Sequence, residues 1–141
     1  MKCQCLCGSI SFELIGLLGD IYKCHCSLCR MNTGSSNSAA LVVEGNQIHW
    51  LTGMELVNSF QLPTGYTTCF CKNCGSPVPN EIRSTGLYWI PAGLLSTCTE
   101  SKLKLHLYCN SKPDWDLTSI DTTYLDEGVE SIFALKGLIK A

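Results

Sequence analysis

Cysteine occurs eleven times in this chain of 141 residues, and where those thiols fall limits the fold more than anything else. Cys24-His25-Cys26-Ser27-Leu28-Cys29 packs three of them into six residues. Cys5-Leu6-Cys7-Gly8 lies near the N-terminus, and Cys71-Lys72-Asn73-Cys74-Gly75 lies far along the chain. Tetrahedral zinc holds each thiolate at about 2.3 Å, which brings ligand sulfurs to roughly 3.8 Å from one another. Cys-x-x-Cys reaches that separation on a tight turn, and Cys-x-Cys reaches it only where the backbone bends. The central trio therefore predicts a metal held on a turn by Cys24, Cys26 and Cys29, with one coordination position left over. An open position marks a catalytic zinc, whereas structural sites close with four ligands.

The outer pairs each end in Cys-Gly, where glycine permits positive φ and lets backbone amides turn toward sulfur. Two such pairs, distant in sequence, predict a closed zinc site on Cys5, Cys7, Cys71 and Cys74 that ties the first strand to the middle of the domain. Its binding energy becomes folding energy. Cys3 and Cys69 each stand two residues before one of these ligands, so spacing leaves either able to replace its neighbour. Cys98 and Cys109 stand alone and read as small buried hydrophobes.

Composition narrows the setting. A length of 141 residues with 45% hydrophobic content suits one domain, residues 1–141, with its own core. A formal charge of -2 supplies no basic field for nucleic acid or anionic lipid. The longest nearly apolar run, Leu87 to Leu95, is half a membrane span and contains Pro91. Met1-Lys2 is followed by Cys3-Gln4-Cys5 rather than the apolar core of a secretory signal. The expectation is a cytoplasmic protein whose odd number of thiols stays reduced and serves metal rather than disulfides.

Short strands follow one another with turn signals between them. Ser9 to Leu14 alternates polar and apolar residues, with Ile10, Phe12 and Leu14 on one face. Ala39 to Val43, Ile48 to Leu51, Leu56 to Leu62, Tyr66 to Phe70, Leu87 to Ile90 and Leu103 to Tyr108 add further strands. The fold class is mainly β, with little helix. Only Tyr124 to Leu138 has helical spacing (Leu125, Val129, Ile132, Phe133), and Gly128 and Gly137 weaken it.

These motifs, together with Arg30, Thr33-Gly34, Phe70, Ser76-Pro77, Ile90-Pro91-Ala92-Gly93-Leu94 and the stretch from His106 to Trp115, resemble the glutathione-dependent formaldehyde-activating enzyme (GFA) family. The resemblance implies a single domain of folded antiparallel sheets, a β-tent shared with methionine sulfoxide reductases and a Rab exchange factor. It implies two zinc ions, a structural one on Cys5, Cys7, Cys71 and Cys74 and a catalytic one on Cys24, Cys26 and Cys29. It also implies condensation of glutathione with formaldehyde to S-hydroxymethylglutathione, a carbon-sulfur lyase activity whose partners are a small thiol and a small aldehyde.

The residues agree with that chemistry. A free thiol of pKa about 8.5 is only a few per cent thiolate at neutral pH, and zinc deprotonates a coordinating thiol outright. His25, between two ligands, is either a proton shuttle or a side chain turned away into local hydrogen bonds. Arg30 suits a substrate carboxylate, or else stands exposed. His49 and His106 read as structural, and Trp89 and Trp115 as core residues or pocket walls. Ser35, Ser36, Asn37 and Ser38 read as a solvated loop or a pocket mouth. Two rival readings remain at this level. One is a non-catalytic zinc module acting as thiol carrier or protein-interaction domain. The other is a methionine sulfoxide reductase using Cys98 or Cys109.

Overall fold

Alternation from Ser9 to Leu14 buries Ile10, Phe12 and Leu14 at 1% exposure or less, and both apolar clusters of the fold draw on that face. The computed structural model describes residues 1–95 and 100–116, with residues 125, 126, 129, 131 and 134. In chain order come β1 (Lys2–Gln4), β2 (Ser11–Leu14), β3 (Ile21–Cys24), the helix α1 (Ser27–Thr33) and β4 (Ser38–Glu44). They are followed by β5 (Ile48–Thr52), β6 (Val57–Gln61), β7 (Thr67–Cys71), β8 (Asn80–Glu81), β9 (Leu87–Pro91) and β10 (Leu103–Leu107).

Strands β1, β2 and β5 form a three-stranded sheet in that order. A five-stranded sheet has the order β10-β3-β4-β9-β8, and β6 pairs with β7 in a separate ribbon. The ladders are antiparallel except that β10 runs parallel to β3, with Leu107 opposite Cys24. The fold is mainly β, as its sequence pattern implies, and the expected strands lie within two residues of their expected ends. Strands β1, β3 and β8 are additional. The helical spacing at Tyr124 to Leu138 falls, apart from isolated residues, outside the described part of the chain. No helix among the described residues is long and apolar enough to cross a membrane.

Two apolar clusters hold these sheets together. Phe12, Leu14 and Ile48 from the first sheet meet Leu41, Val43 and Ile90 from the second. The Phe12 ring tilts 54° against Trp50, with centroids 5.8 Å apart. Each large side chain buried this fully contributes about 1.5–3 kcal/mol. The smaller cluster joins Ile10 and Val78 to the buried sulfurs of Cys5 and Cys71. Thiols thus complete a core that aliphatic residues alone leave thin.

Gly53 fixes how closely two loops approach. Its φ is 73°, and an added Cβ would run into the Ser9 carbonyl oxygen. Gly53→Ala is expected to cost about 2–4 kcal/mol, from left-handed strain plus a forced backbone shift. A lower urea midpoint with unchanged slope would report it. A midpoint equal to that of the parent protein would show that the loops yield freely.

Candidate metal centre and active site

The turn after β1 carries Cys5 and Cys7, while β7 ends at Cys71 and the next turn carries Cys74. Gly8 and Gly75 follow at φ 75° and 73°. Their N–H groups donate to Cys5 O at 2.9 Å and to Cys71 O at 2.8 Å, closing both turns. Ile10 N–H donates to Cys5 Sγ at 3.3 Å. Cys5 and Cys7 sulfurs lie 3.5 Å apart, Cys7 and Cys71 sulfurs 3.8 Å, and all four Sγ atoms lie within 4.8 Å of one another. Those separations fit the roughly 3.8 Å edge of a tetrahedral zinc-thiolate site. Cys3 and Cys69 stay out of the group: Cys3 belongs to the larger apolar cluster, and Cys69 packs against the smaller one.

Electrostatics pulls these thiols apart. The Ser76 hydroxyl, 3.4 Å away, brings Cys74 down to about 5. The Ser9 hydroxyl lowers Cys7, whereas burial pushes Cys71 up to about 11. A bound metal would end that disparity, since a coordinating thiol is deprotonated outright. The donor set therefore fits a metal ion of the zinc type.

The second group is built by strand and helix together. Cys24 closes β3, Cys26 caps α1, and Cys29 sits in the first helical turn. At φ −61° and ψ 157°, Cys26 is extended, and its sulfur accepts from Cys29 N–H at 3.5 Å. Gly34, at φ 63°, ends the helix by donating to Arg30 O. The Thr33 hydroxyl, 3.0 Å from Asn37 O, ties the helix to the following loop. The sulfurs of Cys24, Cys26 and Cys29 lie within 4.8 Å of one another, and no fourth His, Cys, Asp or Glu among the described residues joins them. Burial raises the Cys24 thiol. Burial, then hydrogen bonds and charge from Cys26 and Cys24, drives Cys29 far above the usual thiol range. Burial opposes ionisation of Cys26 as well, yet the amides of Cys29 and Leu28 and the neighbouring thiols bring it below that range. Three thiols this close cannot all ionise without a cation beside them, and as a donor set they too fit a metal.

His25 points away from these sulfurs and is 1% exposed. Its Nδ1 lies 3.0 Å from Ser36 O. A carbonyl only accepts, so Nδ1 donates to it, and Nε2 pairs with His106 Nδ1 at 2.9 Å. The two rings stack at 11°. His25 N–H also donates to Leu107 O at 2.9 Å, which ties the cysteine loop to β10. His49 lies exposed on β5.

A cavity of about 240 Å³ borders the three-thiol group, with Cys24 and Cys29 in its wall. Tyr22, Tyr66, Trp89, Asn80 and Arg83 also line it. Burial, then negative charge at Cys29 and Cys26, pushes the Tyr66 phenol up to about 12. Burial, then charge at Cys24, raises Tyr22. Arg30 is not in the wall, and its Nε is buried without a hydrogen-bond partner among the described residues. Trp89 lines the cavity, whereas Trp115 is 73% exposed. Of the polar run at 35–38, Ser38 reaches the wall and the others do not. Cys109 is exposed and away from the cavity, and Cys98 lies outside the described residues.

Sequence reasoning missed Tyr22, Tyr66 and Arg83. The one available signal was Pro63-Thr64-Gly65, a three-residue hairpin loop with Gly65 at φ 85°, which sets Tyr66 at the foot of β7.

Fold and site together define a small β protein with two cysteine clusters able to hold metal, one of four thiols and one of three. The chain belongs to the glutathione-dependent formaldehyde-activating enzyme family, whose profile matches residues 1–111. It is also similar to a crystal structure of a Rhodobacter sphaeroides protein, with a TM-score of 0.59 and 25% identity over 74% of this chain and 100% of that one. No curated protein matches the sequence.

Proposed function

We propose that the protein is a carbon-sulfur lyase of the GFA type, binding a thiol such as glutathione and forming or handling its S-hydroxymethyl adduct with formaldehyde. One observation carries this reading. The three-thiol group opens onto a cavity, and no side-chain ligand among the described residues completes it. Cys24, Cys26 and Cys29 would hold a zinc ion whose charge, when bound, would keep an incoming sulfur as thiolate at neutral pH, and Cys5, Cys7, Cys71 and Cys74 would hold a second ion that stabilises the fold. The cytoplasm, where thiols stay reduced, is the compartment this chemistry suits.

The chain's own residues do the rest. Tyr22 and Trp89 wall the cavity and narrow the access of water to the sulfurs. As sulfur bonds to the aldehyde carbon, the C=O pair moves onto oxygen, which gains the proton that the thiol gives up. The Tyr66 phenol, in the same wall as Cys29, donates a hydrogen bond to that oxygen while its charge develops. His25, bonded on both sides away from the cavity, braces the loop between Cys24 and Cys26.

Tyr66→Phe is expected to lower the catalysed rate about 100-fold, the loss typical of one donor to a developing oxyanion. Zinc content should not change. Exchange NMR of glutathione with formaldehyde measures that rate above the spontaneous one. Binding of glutathione with no rate above background, in wild type and variant alike, would identify a thiol carrier instead.

A further inference from the structure

The cavity beside Cys24 and Cys29 has one cationic side chain in its wall among the described residues, Arg83. The backbone is strained where that side chain leaves it. Arg83 and Ser84 have φ values of 47° and 57°. Thr85 N–H donates to Ile82 O at 3.0 Å, which closes a tight turn between β8 and β9. Two central residues at positive φ make this a type I′ turn, which favours Asn-Gly. Residues with a β-carbon are uncommon in that conformation, and those that hold it cluster at functional sites.

The Arg83 side chain reaches back to the tip of the facing hairpin between β6 and β7. One Nη donates to Thr64 O at 3.4 Å, and the guanidinium lies over Gly65, where an added Cβ would be 3.6 Å from Nε. That single long bond leaves the rest of the fork of donors without a protein acceptor among the described residues. The acid in the same wall, Glu81, is engaged by Gly86 N–H at 2.9 Å. The ion pair found among the described residues is Lys112 with Asp116, elsewhere.

We infer that Arg83 binds a carboxylate of the thiol substrate and so selects acidic thiols over neutral ones. The inference rests on the thiol site proposed above and deepens it. A guanidinium takes a carboxylate through two parallel N–H donors. Held between two hairpin tips, it loses little further freedom on binding.

Calorimetry on zinc-loaded protein, with glutathione and its diethyl ester as probes, tests the assignment. Wild type is expected to bind glutathione at least about 10-fold more tightly than the ester, the smaller end of what a charge-assisted pair contributes. Arg83→Asn should abolish that preference while leaving the affinity for the ester unchanged. The same substitution should raise the thermal midpoint by a few degrees, since asparagine accepts positive φ readily. Arg83→Lys should retain part of the preference. If Arg83→Asn loses zinc, Arg83→Gln carries the same comparison. A preference that survives removal of the guanidinium, or equal weakening of both ligands, overturns the inference. Equal binding of both probes by wild type overturns it while sparing the thiol site. Failure of wild type to bind either probe overturns the thiol site as well.

Discussion

Cys71→Ala is expected to leave the chain unfolded. The Cys71 sulfur is fully buried, and it belongs both to the four-thiol group and to the apolar cluster with Ile10 and Val78. A structural zinc in a small domain contributes about 10–16 kcal/mol. Total stability of such a domain is about 5–15 kcal/mol. Losing one of four thiolates therefore removes a share of stability comparable with the whole, and the cavity left in the core adds to the loss. Amide proton shifts should collapse to the narrow range of a disordered chain, with zinc content falling to near zero. A dispersed spectrum with full zinc would show that Cys71 is no ligand and that the smaller core stands without it.

Cys26→Ala is expected to do the opposite: to keep the fold and lose the reaction. The helix that Cys26 caps buries none of its residues. Cys24, Cys26 and Cys29 also lie outside both apolar clusters. Loss of the cap costs only about 1 kcal/mol. Zinc should fall from about two ions per chain to about one, since two thiolates make a poor site. The catalysed rate should drop to background with dispersed amide shifts retained. Unfolding of this variant would mean that the three-thiol group also holds the domain together. Full activity would mean that the reaction occurs elsewhere.

Spacing made the cysteine groups legible because thiolate geometry allows few backbone steps between ligands. It did not distinguish Cys69 from Cys71, since residues two apart on a strand share a face. The register does: Cys71 pairs with Val57 at the end of the ribbon, where the chain turns toward Cys74, and Cys69 pairs further in with Ser59. Helix α1 was invisible because its seven residues bury no apolar face, and a capping sulfur is not a usual helix signal. The parallel setting of β10 on β3 was equally hidden, as alternation tells which face is buried and not which neighbour a strand takes. Tyr66 and Arg83 come from different hairpins and meet at one cavity only through sheet order. Local pattern carries no trace of such meetings.

The two cysteine groups also differ in the length of chain that each closes. The trio gathers sulfurs from six consecutive residues, whereas Cys7 and Cys71 stand 64 positions apart. A growing polypeptide completes the first group as soon as Cys29 emerges. The second waits until Cys74 has been made, and it carries the larger entropy of ring closure. An ion held by the trio would thus depend on a local stretch of chain alone, whereas an ion held by the far cluster would close a loop spanning half the sequence.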